Sequence, residues 1–284
     1  MAAKPQLAPV EPPPALDMSA FESEPKFRPI ITTIAGEPGV GKSWFALSAN
    51  EPFLLNADDG ASEIMAIKGL RYQAQLVPQD TLEANADLWD HLGQALHFLK
   101  TGDHKFQTVV LDSLDGIEKL AQAKVCQDLK IKSMEQIDYG KAYVYAREKM
   151  AKVLAALGWL RDNREMEIIV VAHTSIKSIN KPHLDTYDGY ELTANKHVAA
   201  DVKRWCDAFL FMAYRTFVQT SQGKFSRKDK VALTTDERYI IAQGGRGVDC
   251  KNRFGLPTEL SLAEGETDLY AAYKNAIAAN RNKS

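Results

Sequence analysis

The sequence predicts an α/β fold: a mainly parallel twisted sheet with helices on both faces. Three observations carry this. Short β-branched or apolar runs recur between longer stretches with apolar residues at helical spacing, an alternation that builds parallel sheets covered on both sides. A glycine-rich segment sits where the first such run meets the first helix. The composition is that of a folded chain, with 284 residues, 45% hydrophobic and 25% charged.

The elements follow in order. Residues 1–28 contain P-V-E-P-P-P-A and E-P-K-F-R-P without apolar periodicity, so a disordered proline-rich tail is expected. Phe21 is its candidate anchor for docking on another subunit. A core is expected over 29–265 and a terminal helix within 266–284. Strands are predicted at 30–34 (I-I-T-T-I), 52–56 (P-F-L-L-N), 108–112 (T-V-V-L-D), 167–173 (E-I-I-V-V-A-H), 207–214 and 238–243. Helices are predicted after Lys42, over 81–100, from about Asp115, over 140–162, and near the C-terminus.

A net charge of −2 excludes nucleic-acid binding by bulk charge but leaves room for a local basic groove. The three cysteines, Cys126, Cys206 and Cys250, are widely spaced, which points to reduced thiols rather than a zinc site. No apolar run approaches the roughly 20 residues needed to cross a bilayer. No signal-like apolar stretch begins the chain, so no membrane partner and a cytoplasmic location are expected.

Residues 36–43 read G-E-P-G-V-G-K-S and fit G-x-x-x-x-G-K-[ST] at every fixed position, between a strand and a helix. Such glycines let the backbone wrap phosphates with its N–H groups turned inward, and a helix N-terminus favours anions. Gly36, Glu37, Pro38, Gly39, Val40 and Gly41 would line a nucleotide, with Trp44 next in the chain. Lys42 would reach the β and γ phosphates of ATP, and Ser43 would ligate Mg²⁺. Asp112 ends an apolar strand, where ligands gather in open α/β sheets, and would be the second Mg²⁺ ligand, acting through water. Ser113 follows it, where many other P-loop ATPases place a catalytic Glu. The acid must come from elsewhere, and N-A-D-D-G ends the preceding strand with Asp58 and Asp59.

With these motifs in place, the chain resembles the RecA/RadA superfamily of P-loop NTPases, and more closely its short, core-only phage recombinases of the Sak type. V-L-D-S-L-D-G looks like the RecA metal-binding segment, and N-A-D-D-G like the segment carrying its catalytic acid. The resemblance implies a RecA-like core in which Asp58 orients water, with Asp59 as the second choice. An Asp where the family has Glu shortens the reach to water. I-I-V-V-A-H-T-S matches the strand ending in a sensor of the γ phosphate, which implies that role for His173. K-N-R-F-G at 251–255 is similar to the RadA motif whose cations reach a neighbour's ATP, which implies that Lys251 and Arg253 act across a subunit boundary. RadA's zinc finger and protease-like domain, and RecA's terminal domains, have no counterpart here.

The same resemblance places DNA contacts on two loops, residues 131–141 and 174–197, with Lys177, Lys181, Tyr187, Tyr190 and Lys196 as candidates for phosphate contact and base stacking. Asp185, Asp188 and Glu191 interrupt them, and S-R-K-D-K at 226–230 is a further basic cluster. The implied function is a DNA-stimulated ATPase that assembles on single-stranded DNA and pairs or anneals strands in phage-type recombination. A single-strand-binding protein is a candidate partner. Two alternatives stand beside it: a hexameric RecA-like motor or loader, and a low-turnover nucleotide-dependent scaffold.

Overall fold

The first strand, β1 (Ile31–Gly36), is buried along its whole length and feeds the glycine-rich loop and a short helix, α1 (Lys42–Ala46). β2 (Pro52–Asn56), α2 (Ala61–Lys68) and β3 (Gln73–Gln75) follow, then α3 (Leu82–Thr101), β4 (Thr108–Asp112) and α4 (Leu114–Leu129). α5 (Lys141–Arg164) leads into β5 (Glu167–Ile179), β6 (Tyr187–Leu192) and α6 (Lys196–Trp205). The chain closes with β7 (Ala208–Gln222), β8 (Lys228–Ile241), β9 (Lys251–Asn252), β10 (Glu259–Ser261) and α7 (Leu269–Arg281). This computed structural model describes residues 26–180, 185–222, 228–245, 247–261 and 268–282. Most of the expected tail, Phe21, Lys181 and part of the 226–230 cluster lie outside the described residues.

The sheet runs β10-β8-β7-β1-β5-β4-β2-β3. β1 pairs in parallel with β5 on one side and β7 on the other, and β4 joins β5 and β2 in the same sense. Only β8 and β10 extend this path antiparallel. The strand carrying Asp112 is therefore one strand removed from the strand feeding the glycine-rich loop. β5, which ends its parallel section at His173, lies between them.

Alternate residues of each central strand serve opposite faces, as the pleat requires. Ile31, Ala35, Ile168, Val170 and Ala172 face α3, α4, α5 and α6; Ile34, Ile169 and Val171 face α1 and α7. The expected architecture is thus observed. Three expectations need correction. β5 runs six residues beyond His173 and pairs antiparallel with β6, so much of 174–197 is a hairpin and not an open loop. β7 and β8 are each far longer than the apolar runs that announced them, because their outer halves pair as a two-stranded ribbon needing no buried face. α2, β3 and α6 were not foreseen from the apolar pattern.

Candidate functional site

The glycine-rich loop turns through backbone conformations that favour glycine. Gly39 has φ +81° and Gly41 φ +100°. A Cβ on Gly36 would collide with the Met212 carbonyl of β7, so this glycine is also needed for packing. Lys42 is buried, and its ammonium donates to the carbonyls of Gly36 at 3.0 Å and Glu37 at 2.8 Å. Burial pushes its pKa down, against the pull of Asp112, Asp115, Asp58 and Glu37. Trp44 is exposed, with the Lys68 ammonium 4.5 Å from its ring centre. Tyr214 donates its hydroxyl to the Gly39 carbonyl at 3.1 Å, and the Arg238 guanidinium covers that ring and lies where it would crowd a Cβ on Gly41.

Asp112 is 1% exposed, and neither carboxylate oxygen has a hydrogen-bond partner. Burial pushes its pKa up to about 6, opposed chiefly by the nearby Ser43 hydroxyl. A buried carboxylate without partners is costly unless a cation meets it. Ser43 and Lys42 lie on the same side, so a hard divalent cation ligated by hydroxyl and carboxylate oxygens fits the donor set. Among the described residues no group of three or more His, Cys, Asp or Glu is gathered to hold a metal. A cation at Asp112 and Ser43 therefore needs further oxygens from water or phosphate.

His173 stands beside this pair. Its Nε2 lies 3.4 Å from Asp58 Oδ2, and its Nδ1 lies 3.1 Å from Asp115 Oδ2. Its backbone N–H also donates to Asp115 Oδ1 at 3.3 Å. The hydrogen bond to Asp115 raises the pKa of His173 despite its partial burial. For Asp115, burial acts upward, but the His173 contacts outweigh it and leave the carboxyl below its usual range. The two carboxylates meet one ring because α4 packs tightly on the segment after β2. A Cβ on Gly116 would collide with the Ala57 carbonyl. Asp59, the second choice for the acid, makes no described contact with His173, whereas Asp58 does.

A family model described as an AAA domain matches residues 28–254, most of the chain. The chain belongs to this AAA domain family. The matched region holds every site residue named so far and ends just past Arg253. The solved crystal structure of the RadB recombinase is similar at 14% identity and a TM-score of 0.38, over 80% of this chain and 92% of that one. No curated protein matches the sequence.

Lys251 and Arg253 are found at the other end of the AAA domain. β9 pairs with the first residues of β7, which lie beside the start of β1. Arg253 donates to Asp207 at 2.9 Å, and the Asp207 backbone N–H donates to the Ile31 carbonyl. The phosphate loop begins at the far end of β1, about 16 Å along the strand, beyond the reach of an arginine side chain. The Arg253 side chain is 55% exposed. Lys251 departs from the expectation. Its ammonium donates to the carbonyls of Lys203, Arg204 and Cys206 at 3.1, 3.0 and 2.6 Å, occupying all three donors at the C-terminal end of α6. The two cations read as a pair in the sequence are thus differently engaged. An open cavity of about 610 Å³ adjoins Arg253 and is lined also by Lys26, Arg28 and Arg281.

The β5–β6 hairpin rises beside the phosphate end of the AAA domain. Lys177 is exposed and 3.7 Å from Glu191; Lys196 is exposed in the first turn of α6. Tyr187 is half-buried at the start of β6. Tyr190 packs its ring 4.7 Å from that of Phe211, which corrects the expectation of a free stacking surface. Asp115, Arg238 and Tyr214 were missed in the sequence. Asp115 carries a signal in retrospect, as a second carboxylate one turn after Asp112; the other two come from β-strands remote in the chain and carry none.

Proposed function

We propose that the protein is a Mg²⁺-dependent ATPase of RecA type whose subunits assemble head to tail on single-stranded DNA, with ATP bound between neighbours. The observation that carries the ATPase reading is Asp112: a buried carboxylate with both oxygens unpartnered, beside Ser43 and the phosphate loop. Lys42 exchanges the carbonyls of Gly36 and Glu37 for phosphate oxygens, which are the stronger acceptors. Ser43 and Asp112 would hold Mg²⁺, which would supply neutralising charge to the phosphate oxygens. Asp58 orients the attacking water, and His173 donates to the γ phosphate.

The head-to-tail reading draws on Arg253. It is half-exposed and cannot reach the phosphate loop of its own subunit. A cation there serves hydrolysis only if a neighbour brings its triphosphate to that face, and such a cation contributes on the order of 10³ or more in rate. ATP then favours the assembled, DNA-bound state because it joins two subunits, and hydrolysis releases it. The biological setting we propose is phage-type recombination, in which such an assembly pairs or anneals strands.

The test is ATP hydrolysis by the wild type and by Lys42→Ala, each with and without single-stranded DNA. Hydrolysis should be stimulated by DNA and lost in the variant. Hydrolysis surviving in Lys42→Ala would move the site elsewhere, and absence of DNA stimulation would favour a nucleotide-dependent scaffold. Electron micrographs with an ATP analogue separate open filaments from closed rings.

A further inference from the structure

We infer that Asp115 is a positioning residue: it clamps His173 so that the outer ring nitrogen holds Asp58 until a γ phosphate displaces it. The inference rests on the proposed ATP site and adds a resting-state device to it.

The geometry is specific. One carboxylate takes both the backbone N–H of His173 and its Nδ1, at 3.3 and 3.1 Å. That fixes where the residue sits and which way its ring turns. With Nδ1–H committed to Asp115, Nε2 is left on the side of Asp58, an ion-pair contact 3.4 Å from its Oδ2. A neutral ring would present a lone pair to that carboxylate. The imidazolium satisfies both neighbours, and the surrounding charges allow it. Asp115 from α4, Asp58 from the segment after β2 and Asp112 from β4 favour the cation; Lys42 from α1 opposes it.

Asp58 is the group proposed to orient water. While the imidazolium stays beside it, the charge of Asp58 is engaged, and the site is restrained from activating water. A phosphate group reaching Lys42 brings more negative charge to the same N–H. Transfer of that ion pairing from Asp58 to the phosphate frees the carboxylate as the substrate arrives. Asp115 touches neither substrate nor water in this scheme; it sets the direction of the ring.

The experiment records ¹⁵N histidine spectra of nucleotide-free wild type, Asp115→Asn and Asp115→Glu, together with binding of a fluorescent ATP analogue and the pH profile of hydrolysis. In wild type the protonation midpoint of His173 should lie above that of an ordinary histidine. In Asp115→Asn its protonation midpoint should fall, analogue affinity should stay within about 3-fold, and kcat should drop about 10-fold or more with a shifted profile. Asp115→Glu should restore part of both. A slow Asp115→Asn variant with an unchanged His173 spectrum would show a merely structural role and overturn the inference. Should that variant not fold, the wild type decides: a non-hydrolysable ATP analogue should move the Nε2 signal while ADP leaves it in place, and equal responses sink the proposal. If the wild type binds no nucleotide, the ATP-site reading fails, while the spectra still report whether Asp115 holds the ring.

Discussion

Arg253 is joined to Asp207 at the start of β1, and the phosphate loop leaves from that strand's other end. One subunit therefore presents an arginine on one face and a phosphate site on the opposite face. In the proposed head-to-tail stacking, which a heterologous interface would generate, the two would meet.

This gives a complementation test. Arg253→Ala and Lys42→Ala should each abolish hydrolysis alone, the first without loss of nucleotide binding by the monomer. Mixed in equal amounts they should recover activity, because some interfaces then pair an intact loop with an intact arginine. Random mixing predicts about a quarter of the wild-type rate. No recovery in the mixture, with both variants folded, would sink the shared site.

Lys251 should behave otherwise. Its ammonium satisfies three carbonyls at the end of α6, so Lys251→Met leaves them without their donor. We expect a loss of about 1–3 kcal/mol in stability, read by denaturant unfolding. At temperatures where the variant is folded, hydrolysis should survive far better than in Arg253→Ala. Equal loss of activity in a variant of unchanged stability would return Lys251 to the neighbour's phosphate.

The contrast shows what was legible in the chain. The phosphate loop, Asp112 and the strand ends were readable because each is a local pattern: a strand, its terminal carboxylate, a glycine-rich turn. Lys251 and Arg253 look alike in sequence but meet different partners, since β9 pairs with β7 across forty residues of chain. Asp115 escaped notice because its meaning depends on how closely α4 approaches Ala57, a distance set by Gly116. The 174–197 stretch was taken for a loop because its strands are polar and partly exposed, with no buried face to impose alternation.

Asp112 gives a prediction of opposite sign for stability and activity. Its carboxyl ionises near 3.8 in an unfolded chain and at about 6 when folded. Below 3.8 it costs nothing. As pH rises from there to about 6 the folded state retains a proton that the unfolded state has lost, so folding is increasingly penalised, and the full penalty persists above. The shift corresponds to about 3 kcal/mol at most. Asp112→Asn should thus melt several degrees higher than wild type at pH 8 without nucleotide, and no higher at pH 4. It should also lose hydrolysis. A variant less stable than wild type at pH 8 would mean that the carboxylate is already compensated in the protein.

Lys177 on the hairpin and Lys196 just after it separate DNA contact from surface charge. Lys196 is exposed on the first turn of α6, whereas Lys177 lies 3.7 Å from Glu191, which already offsets part of its charge. A lysine that neutralises a phosphate releases a counterion, so its removal lowers the slope of log affinity against log salt by about 0.7 on single strands. Lys196→Ala should reduce the slope by about that amount, and Lys177→Ala by less. Glu191→Gln should strengthen binding, because it unmasks Lys177. The titration is run with a labelled oligonucleotide and an ATP analogue over a range of salt. An unchanged slope in all three variants would move the DNA path off this hairpin, while leaving the phosphate site and Arg253 as they stand.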